Sequence, residues 1–129
     1  MVPGEKMTPA KEDYLKTILE LSGCSEGGIR SVDIAEALGV SKASVSNMTG
    51  ILRKEGYVEK KKYGTVTLTE SGRKAAEEIK RRCDLIEEYL NKVLGVEAAT
   101  ATADACRIEH IISSETVHQI DKKLKKLFG

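Results

Sequence analysis

A chain of 129 residues, 40% hydrophobic and 32% charged, has the length of one ordinary domain or two small subdomains and the composition of a globular, water-compatible fold. Its 21 Lys and Arg against 20 Asp and Glu leave a net charge of +1, which excludes a globally basic nucleic-acid binder and confines any such surface to a local patch. No run of about 18 apolar residues is present to span a membrane, and the start Met1-Val2-Pro3-Gly4-Glu5-Lys6 lacks the apolar core of a secretory signal.

Three cysteines, Cys24, Cys83 and Cys106, fit neither a disulfide framework nor a Cys-x-x-Cys zinc motif. Reduced thiols and a cytoplasmic location are the expectation. Tyr14, Tyr57, Tyr63, Tyr89 and Phe128 are too scattered for a base-stacking platform. Duplex DNA is therefore favoured over single strands or RNA.

In chain order, Thr8 and Pro9 read as N-cap and first position of a helix that runs to Ser22, with Tyr14, Leu15, Ile18 and Leu19 as its apolar stripe. Gly23, Gly27 and Gly28 end it. Residues 31–40 begin with Ser31 as a cap, carry Ile34, Ala35 and Leu38 at helical spacing, and stop at Gly39. Ser41 caps a further helix to about Glu55 with a Val45, Met48 and Leu52 stripe. Two short helices about a glycine turn make a helix-turn-helix pattern.

Past Gly56 the period changes from helix to strand. Residues 57–60 and 65–69 are rich in β-branched and aromatic side chains, with Tyr63-Gly64 as the turn of a two-stranded wing. Thr69 or Ser71 then caps a long helix to about Leu94, its stripe formed by Ala75, Ile79, Cys83, Ile86, Leu90 and Leu94, and Gly95 closes it. A shorter helix is expected around 102–113. A last amphipathic helix from about Glu115 aligns Val117, Ile120, Leu124 and Leu127. The fold class is mostly α: a winged helix-turn-helix over residues 1–72, followed by an all-helical domain over 73–129. The apolar content of the second half exceeds what one helix hides, so a two-fold homodimer is expected.

The face of the helix-turn-helix's second helix turned away from its core stripe carries small and amide residues. Ser41, Lys42, Ala43, Ser44, Ser46 and Asn47 are the candidate DNA contacts there, since such a face sits deep in a major groove, where Asn pairs with an adenine edge and Ala meets a thymine methyl. Lys60, Lys61 and Lys62 lead into the wing. Residues 41–63 hold six Lys or Arg against two Glu, so the basic charge is concentrated where phosphates would lie. A dimer presenting two such helices reads an inverted-repeat operator.

Cys106-Arg107-Ile108-Glu109-His110 places a thiol, a carboxylate and an imidazole at i, i+3 and i+4, one face of a helix, with Ile108, Ile111 and Ile112 expected on the opposite, core-seeking side. This mixed donor set suits a divalent transition metal rather than Ca or Mg.

Glu12-Asp13-Tyr14-Leu15-Lys16-Thr17-Ile18, Asp33-Ile34-Ala35-Glu36-Ala37-Leu38, the stretch from Gly64 to Gly72, and Asp104-Ala105-Cys106-Arg107-Ile108-Glu109-His110 resemble, in order and over nearly the whole chain, the metal-dependent repressors of the diphtheria toxin repressor and manganese transport regulator type. The resemblance implies a dimeric repressor of metal-uptake genes that binds its operator when a divalent metal is in excess. It implies Asp13 as the metal ligand from the first helix and Cys106, Glu109 and His110 as the others. Cys106 resembles the iron-type members and Asp13 the manganese type; Lys16 stands where manganese-type members often carry a carboxylate. At the family's second site a histidine is replaced by Cys83, Glu87 still matches, and Thr102 stands in place of a further histidine. That site is either altered, with Cys83 as ligand, or lost to core packing. With the chain ending at Gly129, the SH3-like third domain of longer members is expected to be absent.

The softer ligand set favours Fe(II) over Mn(II) as activator, with Co, Ni or Zn able to substitute. No organic cofactor and no membrane partner is expected. Two other classes fit the residues: a redox or small-molecule-sensing winged-helix regulator using Cys106 or Cys83, and a winged-helix protein-interaction module stabilised by zinc. An enzyme is not expected, because His110 and His118 are the only histidines and no nucleophile motif or phosphate loop stands out.

Overall fold

The computed structural model describes residues 7–23, 27–61 and 64–129. The chain divides into two compact units, Met1–Glu77 and Glu78–Gly129.

In the first unit, α1 (Pro9–Ser22) starts where the Thr8 hydroxyl accepts the Lys11 N–H at 3.2 Å. Tyr14, Leu15 and Ile18 are buried as their spacing requires. Helices α2 (Ser31–Leu38) and α3 (Lys42–Lys54) follow, joined through Gly39, whose φ of 69° is the left-handed cap that ends α2. Ser31 is the first helical residue rather than the cap; Arg30 holds the cap position and its guanidinium donates to both Asp33 oxygens, at 3.1 and 3.2 Å. Ser41 caps α3 by accepting the Ser44 N–H at 3.0 Å.

Strands β2 (Val58–Lys60) and β3 (Thr65–Leu68) form the wing, with Val58 opposite Leu68. A third strand, β1 (Ile29–Arg30), pairs antiparallel on the other edge of β3, with Ile29 opposite Val66, so the sheet order is β1-β3-β2. Two residues are too few to show a strand period, and the pairing with β3 alone makes them one. Leu15, Ile18, Ile34, Val45, Leu52, Val58 and Val66 build the core beneath α1, α2, α3 and the sheet. Lys11 of α1 also reaches Glu55 beyond α3 at 2.8 Å.

The unit boundary falls within α4 (Glu70–Glu88). Thr69 is its cap: the hydroxyl accepts the Gly72 N–H at 3.0 Å and donates to the Gly56 carbonyl at 2.6 Å. In the second unit the α-helical hydrogen bonding gives way at Tyr89–Val93 to a wider π-helical turn, with Leu94 N–H reaching the Tyr89 carbonyl at 3.2 Å. The shift moves the apolar stripe out of register. Ile79, Cys83 and Ile86 are buried, whereas Leu94, expected on the same stripe, is 60% exposed.

Helix α5 spans Ala98–Ile108, earlier at both ends than expected. Its alanine-rich start at Ala98 and Ala99 favours extending the helix backward. It ends where the His110 and Ile111 N–H groups bond three residues back, and Ser113, accepting Thr116 N–H at 3.1 Å, caps α6 (Ser114–Phe128). Val117 and Leu124 of α6 are buried, while Leu127 and Phe128 remain exposed. Among the described residues no helix is long and apolar enough to cross a membrane.

Candidate nucleic-acid interface and metal centre

Helix α3 turns Val45, Thr49 and Leu52 inward and leaves Ser41, Lys42, Ala43, Ser44, Ser46 and Asn47 exposed. Thr49 is buried at no cost in unpaired polarity, because its hydroxyl donates to the Val45 carbonyl at 2.8 Å. Ser41 has a second duty: its side chain is engaged in the cap and lies 3.0 Å from the Ser44 hydroxyl. Lys60 and Lys61 are exposed at the wing, and Lys61 lies 3.1 Å from Glu59, which offsets part of its charge. Lys62 lies outside the described residues. The whole unit thus offers a small-residue helix face flanked by lysines, the shape and charge a duplex groove accepts.

In the second unit, Cys106 sits half-buried on the last turn of α5, Glu109 follows at its C-cap and His110 comes next. The expected segregation of faces is corrected here. Buried positions are Ala101, Ala105 and Glu109, one residue every four, so the carboxylate itself occupies the inward face; Ile111, expected inward, is 84% exposed. The reason is the tightened backbone after Ile108, where His110 and Ile111 N–H groups bond three residues back, to Arg107 and Ile108, at 3.3 and 3.0 Å.

Glu109 is only 2% exposed. One of its oxygens, Oε2, lies 3.0 Å from His110 Nδ1, and the other, Oε1, accepts from Arg82 Nη2 of α4. Arg82 also comes within 4.0 Å of Glu78, one turn earlier. An imidazole nitrogen and a carboxylate oxygen 3.0 Å apart have the donor types and spacing of ligands to one transition-metal ion, and Glu109 and His110 fit such an ion, whereas the Cys106 thiol one turn before is not grouped with them at ligand distance.

Cys83 and Glu87 lie one turn apart on α4, the thiol buried and the carboxylate half-buried. Cys83 and Cys106 are both thiols rather than disulfide partners. Asp13 is half-buried on α1, and its neighbour Glu12, which nothing in its spacing marks as more than an ordinary charged residue, is buried. Arg82 was likewise one basic residue among many on α4, and nothing in its spacing marked it as the partner of Glu109.

Residues 6–66 match the model of the iron dependent repressor N-terminal DNA binding domain, and residues 69–127 that of the iron dependent repressor metal binding and dimerisation domain. The HTH-type transcriptional regulator MntR of Lysinibacillus sphaericus is 36% identical over 113 residues, covering 88% of this chain and 80% of that protein. The chain belongs to the DtxR/MntR family of transcriptional regulators. An uncharacterized HTH-type transcriptional regulator of Methanocaldococcus jannaschii is a further relative, 31% identical over 120 residues that cover 93% of this chain and 96% of its own length.

Among solved structures, a manganese-dependent transcriptional repressor in complex with manganese superposes with a TM-score of 0.81 at 35% identity, covering 88% of this chain and 52% of that one. The metal-dependent transcriptional regulator MtsR gives 0.82 at 34% identity, covering 92% and 55%. This DtxR/MntR chain spans about half the length of these two solved relatives.

Proposed function

We propose that this chain is a divalent-metal-activated, dimeric repressor that binds an inverted-repeat operator and controls metal-uptake genes. The observation that carries the reading is the placement of Glu109 and His110 side by side, 3.0 Å apart and one turn beyond Cys106, in a chain whose α3 presents an exposed small-residue face. Residues 1–72 read DNA and residues 73–129 bind metal and dimerise. The exposed Leu94, Ile111, Leu127 and Phe128 support self-association through the second part.

When bound, the ion supplies positive charge and bonds that tie its ligands to one another. Cys106, Glu109 and His110 provide the donors of the dimerisation half, and Asp13 provides the donor of α1. With an ion held by these residues, the two recognition helices of a dimer would be kept at operator spacing, and repression would follow from tighter metal binding by the DNA-competent arrangement than by the relaxed one. Cys83 and Glu87 are the candidate ligands of a second ion.

Fe(II) is the favoured activator, since the Cys106 thiolate is a softer donor than the carboxylate of manganese-type members. Relatives have been solved with manganese, Zn2+ and Cd2+. The test is an anaerobic duplex-binding titration against Fe(II), Mn(II), Co(II) and Zn(II), with metal stoichiometry measured in parallel. Operator binding that rises with metal and falls on chelation is expected, and binding unchanged after exhaustive chelation overturns the reading. Two ions per chain, falling to one in Cys83→Ser, support the second site; one ion in both assigns Cys83 to the core.

A further inference from the structure

We propose that Arg82 is a resident cation that holds Glu109 until a divalent ion displaces it, so that this ion pair sets the metal concentration at which the centre fills. The proposal rests on the reading of Glu109 as a metal ligand.

The Glu109 side chain is 1% exposed, and a carboxylate so far from water is strongly disfavoured unless a positive group or good hydrogen bonds compensate it. Arg82 supplies that compensation at Oε1 while His110 Nδ1 lies at Oε2, so both oxygens are engaged. An ion that binds through Glu109 therefore competes with one of these contacts for the electron density of the same oxygen. The imidazole is itself a metal ligand in this arrangement and stays beside the ion. The guanidinium cannot, because it is a cation with no lone pair to donate and does not lose its charge at any physiological pH. It has to move.

Glu78 gives it a destination. This carboxylate lies one helical turn before Arg82, is half-exposed, and its Oε2 is 4.0 Å from Arg82 Nη1. A small rotation of the side chain exchanges the buried partner for the exposed one without leaving the guanidinium unpaired. Before filling, the pair keeps Glu109 compensated; during filling, it opposes the ion by competition for Oε1 and by repulsion of like charge. Binding is thereby weaker than the same donors alone would give, and the threshold is raised.

The test is a titration of the metal-stripped protein with Co(II) under anaerobic conditions, followed by calorimetry and by the visible absorption of the bound ion. Thermal unfolding is measured with and without Co(II). Arg82→Gln is expected to bind Co(II) about tenfold more tightly than the unaltered protein, to melt at a lower temperature without metal, and to gain more on metal addition. Arg81→Gln removes the same charge from the neighbouring position, whose guanidinium reaches Glu78 at 3.4 Å and not Glu109, and should change the affinity far less than Arg82→Gln does.

Equal or weaker Co(II) binding in Arg82→Gln overturns the proposal, as does an equal gain in Arg81→Gln. Should Arg82→Gln fail to fold without metal, Arg82→Lys decides. It keeps the charge but loses the forked geometry, so its affinity should rise by a smaller factor, and no rise overturns the idea. Glu109→Gln separates the underlying reading: if it binds Co(II) as well as the unaltered protein, Glu109 is not a ligand and the metal-centre assignment itself fails.

Discussion

A β-carbon placed on Gly72 would lie 1.9 Å from the Tyr57 carbonyl oxygen, so the first turn of α4 rests directly on the backbone leading into the wing. The carbonyl has no room to retreat, since it accepts the Thr69 N–H at 3.0 Å in the same corner. Gly72→Ala is expected to destabilise the protein by about 1–3 kcal/mol through overpacking. Thermal unfolding measures it; a variant as stable as the parent would show that the corner relaxes freely.

Two variants separate base reading from phosphate binding. Asn47 is exposed on α3, so Asn47→Ala should lose about 1–3 kcal/mol of discrimination at one base pair of each half-site. Lys60→Ala should instead weaken all sequences alike and reduce the slope of log affinity against log salt by about 1 per chain. Competition binding at several salt concentrations distinguishes them, and an Asn47→Ala loss uniform across sequences would remove α3 as the reading element.

Burial pushes the Tyr14 phenol above its ordinary pKa of 10.0. The folded state therefore holds this proton more tightly than the unfolded state. Its contribution to stability is complete below pH 10 and is lost as pH rises through the folded value. Tyr14→Phe lacks this loss, so the two proteins should show parallel urea midpoints up to about pH 9 and diverge above pH 10, the phenylalanine form falling less steeply.

Local chemistry made much of the fold readable from sequence. Thr8 with Pro9, Gly39 with Ser41, and Ser113 act through their own backbone or side chain within three or four residues, and α1, α2 and α3 appear where these signals lie. The strand Ile29–Arg30 exists through its partner Val66, a pairing between distant parts of the chain that no window of residues displays. The π-helical turn at Tyr89–Val93 was hidden for a related reason, since Leu90 and Leu94 continue the α-helical period on which the reading relied. At the candidate site, the pairing of Glu109 with His110 was legible from donor type and spacing, whereas Cys106, read on the same face, does not join their group of donor atoms. Which of them is buried was not legible: the isoleucines suggested an apolar inward face, while Glu109 continues the inward spacing of Ala101 and Ala105 and the tightened backbone after Ile108 leaves Ile111 out. Arg82 is paired with Glu109 by the packing of α4 and α5, and neither periodicity nor spacing encodes that contact.

Position 106 is where metal preference is most open to a direct test. Cys106 is half-buried and not in a disulfide, and it supplies the one soft donor of the proposed ligand set. Cys106→Glu substitutes a hard oxygen donor of greater length at the same helical position. Thiolate stabilises Fe(II), Co(II) and Zn(II) more than Mn(II), whereas a carboxylate narrows that difference. In operator-binding titrations the variant should need a higher concentration of Fe(II) and a similar or lower concentration of Mn(II) for half-maximal binding, moving the ratio of the two by about tenfold or more, roughly 1.4 kcal/mol. Cys106→Ser removes the thiolate without supplying a carboxylate and should weaken activation by all four metals. An unchanged metal ranking in Cys106→Glu would mean that Cys106 does not touch the ion and that selectivity is set by the remaining ligands.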